Sequence, residues 1–84
     1  MSVIRIVRKK KFVRAMEDMY VETSMGSYAL RNGDYIDVPT DLGFTLKVSQ
    51  QPMSFWSSKA NIARGQSGEV VISAGFFGPS IEVR

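Results

Sequence analysis

The side chains that could do chemistry in this chain of 84 residues are eight carboxylates and eleven cations, with no histidine and no cysteine beside them. That inventory removes the commonest general base, the thiolate nucleophile and the usual ligands of a zinc site. Glu17, Asp18, Glu22, Asp34, Asp37, Asp41, Glu69 and Glu82 are spread through apparent turns and strand positions. There they serve solubility and turn formation. Asp34, Asp37 and Asp41 lack both the regular spacing and the closing glutamate of a calcium loop. Gly65-Gln66-Ser67-Gly68 is followed by neither a lysine nor a helix, so it is not a phosphate-binding loop. The expectation is a protein that is not an enzyme and takes neither cofactor nor metal.

Two groups of residues remain that could bind something. Arg5, Arg8, Lys9, Lys10, Lys11 and Arg14 bring most of the basic charge into the first fourteen positions, while the chain as a whole carries +3. Such a run is either a solvated connection whose lysines keep a strand edge from pairing with other chains, or a patch for a polyanion. The second group is aromatic. Phe55-Trp56 and Phe76-Phe77 are adjacent rings bordered by serine, glycine or proline, and in extended backbone neighbouring side chains point to opposite faces. One ring of each pair can seal the core while the other is exposed to a partner. Tyr20, Tyr28 and Tyr35 could line a sugar site, although strand tyrosines more commonly pack as cross-strand pairs.

The elements that must position these residues are strands. Residues 28–49 state this most plainly: Asn32-Gly33-Asp34 is a turn signal between two runs rich in aromatic and branched residues, and Phe44, Leu46 and Val48 alternate with Thr45, Lys47 and Ser49. The pattern predicts a meander of half-buried strands with Phe44, Leu46 and Val48 in the core, and a positive φ at Gly43. An opening strand is expected at 3–7, with Ile4 and Ile6 on one face and Val3, Arg5 and Val7 on the other. Residues 12–19 fit either one helical turn or a loop leading into a strand at 19–23; the β-forming neighbours favour the loop. Residues 54–62 read as strand, loop or one of each. A buried strand follows at 69–74, and 80–84 closes the chain with Ile81 and Val83 pointing one way.

About seven short strands at close spacing predict an all-β fold, a small antiparallel β-sandwich occupying residues 1–84 as one domain. At this size a core only just offsets chain entropy, and without cysteine no disulfide can supplement it. The N-terminus lacks the uninterrupted apolar stretch of a secretory signal, because Arg5 and Arg8 interrupt it, so a cytoplasmic protein is expected.

Tyr20-Val21, Met25-Gly26-Ser27-Tyr28-Ala29-Leu30, Asn32-Gly33, Val38-Pro39, Gly43-Phe44-Thr45-Leu46-Lys47-Val48 and Trp56 together resemble small bacterial β-sandwich domains, mostly without assigned function. More distantly they are similar to PEGA-type surface modules. The resemblance covers residues 19–58 and consists of turn and core signals. Thr40-Asp41-Leu42-Gly43 departs from the shorter Pro-Pro-Gly turn usual there, and Phe44-Thr45 stands where a Glu-His pair is frequent. It implies a non-enzymatic accessory or interaction domain, found alone or attached to a membrane or envelope protein. The expected function is therefore a non-catalytic interaction module, self-associating as a homodimer or binding a protein partner. The contact would be a strand edge together with Phe55, Trp56, Phe76 and Phe77. The alternative is binding of nucleic acid or an anionic membrane surface through the basic N-terminal segment.

Overall fold

A computed structural model describes residues 2–11, 16–50, 57–75 and 78–84. Eight strands form in chain order: β1 (Val3–Arg8), β2 (Met19–Thr23), β3 (Gly26–Leu30), β4 (Tyr35–Pro39), β5 (Phe44–Ser49), β6 (Ser57–Ile62), β7 (Gly68–Ser73) and β8 (Ser80–Val83). They make two four-stranded sheets, in the orders β4-β1-β7-β8 and β3-β2-β5-β6. The β-sandwich class is as expected, with eight strands rather than about seven. In the stretch 54–62, which reads as strand, loop or one of each, residues 57–62 complete a ladder with β5 as β6. Every pairing is antiparallel except β1 with β7, which is parallel because the chain passes through the other sheet between them.

The inward faces follow the period of two. Ile4 and Ile6 of β1, Met19 and Val21 of β2, Val38 of β4, Leu46 and Val48 of β5 and Val70 and Ile72 of β7 form one continuous core between the sheets, with Tyr28, Ile36, Phe44 and Ile81 packed at its margins. Of Ile81 and Val83, the first packs at the margin of the core, whereas Val83, at the end of an edge strand, is nearly half exposed. No helix among the described residues is long and apolar enough to cross a membrane.

The expected meander does not form. Asn32-Gly33 does turn the chain, with Gly33 at φ +86° and the Asp34 amide bonded to the Arg31 carbonyl at 2.9 Å. Yet β3 pairs with β2 while β4 pairs with β1, so the turn carries the chain from one sheet to the other. Local turn chemistry fixes the reversal and leaves open which neighbour each strand finds. Gly43 also differs from expectation: its φ is not in the left-handed region, and the residue is small because a Cβ there would lie 3.0 Å from the Ile62 carbonyl oxygen. Close backbone approach, rather than turn conformation, demands glycine at this position.

Candidate functional site

The basic residues separate once the strands are in place. Arg5 points outward from β1 and donates from Nε to Asp37 Oδ1 at 2.8 Å and from Nη2 to Oδ2 at 3.2 Å, a bidentate pair with its register partner on β4. Its guanidinium carbon lies 4.2 Å from the Tyr35 ring centre. On the other side of β1, Arg5 is in register with Glu69, which Arg84 approaches at 3.8 Å. Asp37, Arg5, Glu69 and Arg84 thus form a row of alternating charge across the outer face of this sheet. Most of the Arg5 charge is answered before any polyanion arrives.

The bond from Arg5, reinforced by its charge, holds the Asp37 carboxyl below the usual carboxylate range. A carboxylate depressed in the folded state stabilises the fold at pH values above its unfolded pKa of about 3.9, and that contribution is lost as pH falls through the lower folded value. In Arg5→Gln the Asp37 pKa is expected to rise towards the ordinary value, which an NMR titration of the Asp37 side-chain carboxyl carbon measures directly. An unmoved titration would show that the pair does not persist in solution.

Arg8 is drawn inside. It is 1% exposed, and its Nη1 donates to the Leu30 carbonyl at 2.7 Å and to the Glu17 carbonyl at 2.6 Å. Starting from the end of β1, the side chain reaches the opposite sheet and the segment entering β2. Burial lowers its pKa, opposed by the nearby charges of Asp18, Asp34 and Glu17. This arginine ties two sheets together and presents no guanidinium to a ligand. Lys9, Lys10 and Lys11 are exposed at the same end of the sandwich, anchored by the Lys9 amide to the Ile72 carbonyl at 2.8 Å and the Lys11 amide to Asn32 Oδ1 at 2.9 Å. Arg31 is exposed near them, lining a shallow depression with Met16, Asp18 and Asn32. The three carboxylates around Arg8 share this end, so its surface is mixed in sign.

Phe55, Trp56, Phe76 and Phe77, the aromatics expected at a partner contact, lie outside the described residues, as does Arg14. The tyrosines do not meet as a sugar site: Tyr20 is on β2 and Tyr28 on β3, facing opposite sides of one sheet, and Tyr35 belongs to the other sheet. No group of three or more His, Cys, Asp or Glu among the described residues could hold a metal ion.

Two further buried polar residues do the work of Arg8 elsewhere. Thr40 donates from Oγ1 to the Gln66 carbonyl at 2.5 Å, while its amide bonds the Ser2 carbonyl and its own carbonyl accepts from Gly65. Gln50 Oε1 accepts from the Gly75 amide at 2.7 Å, joining the end of β5 to the segment after β7. Sequence reasoning passed over both, although each continues the inward phase of its strand.

The edges are what these contacts leave over. β6 and β8 lie against each other, and Ser58 Oγ donates to the Pro79 carbonyl at 2.6 Å, so the two sheets are tied together on that flank. The sheet orders place β3 and β4 together on the other flank. The turn at Arg31–Asp34 joins them at one end, and at the other Ser24 shares a depression with Pro39, Asp41 and Leu42. No family model, no curated protein and no solved structure matches this chain. The resemblance to small bacterial sandwich domains therefore rests on the order of its turn and core motifs.

Proposed function

We propose that this protein is a non-catalytic interaction module that associates with another polypeptide, most simply a second copy of itself, through a strand edge. The observation that supports this reading is the unequal treatment of the two flanks. On one flank β6 and β8 are in contact and tied by the Ser58–Pro79 hydrogen bond, whereas on the other β3 and β4 are outer strands to which no further strand is paired among the described residues. A row of edge amides and carbonyls is a template for one more strand, and the domain is small enough to gain from shared burial. The motif order of residues 19–58, similar to that of accessory domains, agrees with this assignment.

The polyanion reading keeps Lys9, Lys10 and Lys11 but loses the reach of Arg5 and Arg8, the first paired with Asp37 and the second buried. Light scattering across protein concentration, at low and at about 0.5 M salt, separates the two because that salt range screens exposed charge contacts and leaves backbone pairing and apolar contacts standing. The expected result is a dimer that persists at high salt. A monomer that binds a short DNA duplex only at low salt would replace this function with the alternative.

A further inference from the structure

Resting on the self-association proposed above, we infer that the contact is the β3 edge, and that a second copy adds its own β3 antiparallel about a two-fold axis through Tyr28. The two β3-β2-β5-β6 sheets then become one continuous sheet across both copies.

The four edges differ in what guards them. β4 ends in Pro39, which has no amide hydrogen, and carries Asp37 locked to Arg5. β6 carries Lys59 and is tied across to Pro79, while β8 carries Glu82 with Arg84 bonded to it at 3.2 Å. Charge and proline are the devices by which edges avoid unwanted pairing. Gly26-Ser27-Tyr28-Ala29-Leu30 has neither, and Gly26, Ser27 and Ala29 are exposed.

The occupant follows from self-complementarity. A two-fold contact sets the same patch against itself, so every residue must suit its counterpart in the reversed strand. Centred on Tyr28, the register brings Tyr28 to Tyr28 of the second copy, Ser27 to its Ala29 and Gly26 to its Leu30. The first is an aromatic cross-strand pair and the others set small beside small and the smallest beside the largest. Within one copy Ser27 is in register with Glu22 and Ala29 with Tyr20; Glu22 and Tyr20 are next to Lys47 and Ser49 respectively. The outer-face row crossing the junction therefore runs Lys47, Glu22, Ser27, then Ala29, Tyr20 and Ser49 of the second copy. No like charges meet across the junction. An acidic or basic peptide would find no opposite charge on this strand to select it.

The register supplies its own test. Ser27 and Ala29 are exposed on the outer face, so lysines there leave the core intact. In Ser27→Lys/Ala29→Lys each new lysine faces a new lysine of the second copy, twice across the axis, and the dissociation constant is expected to rise at least about tenfold at low salt. In Ser27→Lys/Ala29→Glu opposite charges face each other twice, and association is expected to return to the wild-type value or exceed it. Molar mass by light scattering reads both, with circular dichroism and thermal melting to confirm that each variant is folded. A dimer indifferent to both pairs of substitutions would overturn the β3 contact while leaving self-association through another surface. Weakening by both variants alike would overturn the register. A wild-type monomer at all concentrations to ~1 mM would overturn this inference and the self-associating reading together.

Discussion

Arg8→Met is expected to destabilise the protein by about 3–5 kcal/mol, the cost of leaving two backbone carbonyls inside the protein without their charged donor. The Leu30 and Glu17 carbonyls now accept from Nη1 at 2.7 and 2.6 Å and would lose that donor inside the protein. Folded domains of 84 residues have a total stability of roughly 4–13 kcal/mol, so this single change removes a large fraction of it. The melting temperature should fall by about 12 °C or more. Arg8→Lys keeps the charge but not the forked reach, and its loss should be intermediate. Chemical denaturation of the three proteins measures the series. Were Arg8 instead part of a surface for polyanions, Arg8→Met would leave the denaturation midpoint unmoved and weaken DNA binding, the opposite pattern.

The position of Arg8 was present in the sequence and hidden by its company. Ile4 and Ile6 set the inward phase of β1, and the next residue in that phase is position 8, but three lysines follow it and the whole run reads as solvent-facing. The same step finds the other two buried polar residues: Thr40 continues Ile36 and Val38, and Gln50 continues Leu46 and Val48. Each lies one phase step beyond the apolar positions of its strand, where the sandwich ends and loop backbone needs partners. Strand phase is thus a better guide than side-chain class at the ends of a small sandwich. Most strands were legible because alternation is a local property.

Sheet membership was not legible for a physical reason. The pairing of β1 with β4 joins residues 28 to 36 apart in the chain and its pairing with β7 residues 64 apart, and nothing within a strand names its neighbour. The parallel pair was hidden in the same way. Gly43 shows the limit from the other side: its smallness was visible, but its cause is the backbone at Ile62, which no local pattern connects with it. As for the site, the absence of charge in residues 26–30 could be seen in the sequence, whereas the fact that these residues form an edge could not. The charges of residues 5–11 were equally visible, and folding spends Arg5 on Asp37 and Arg8 on the opposite sheet.

The second large effect lies in β5, where the sequence ranks Phe44, Leu46 and Val48 together as core. The structure orders them. Leu46 and Val48 are fully buried on a strand flanked by β2 and β6, whereas Phe44, at the strand's first position, is only partly buried. Leu46→Ala is expected to cost about 2–5 kcal/mol, the transfer of its lost methyl groups together with the cavity left behind. The surrounding strands are held on both sides of β5 and have little freedom to collapse into that space. Phe44→Ala removes more atoms, yet its ring is only partly buried at the margin of the core, and its cost should be the smaller of the two. Denaturant midpoints at unchanged slope would measure both costs without a change in the extent of unfolding. If Phe44→Ala proved the more damaging, the core would extend past the start of β5 into the turn that carries Leu42, and the apolar surface there would have to be counted as interior. With Leu46→Ala the more damaging, the interior ends at Phe44, and what holds the rim is the polar set Arg8, Thr40 and Gln50.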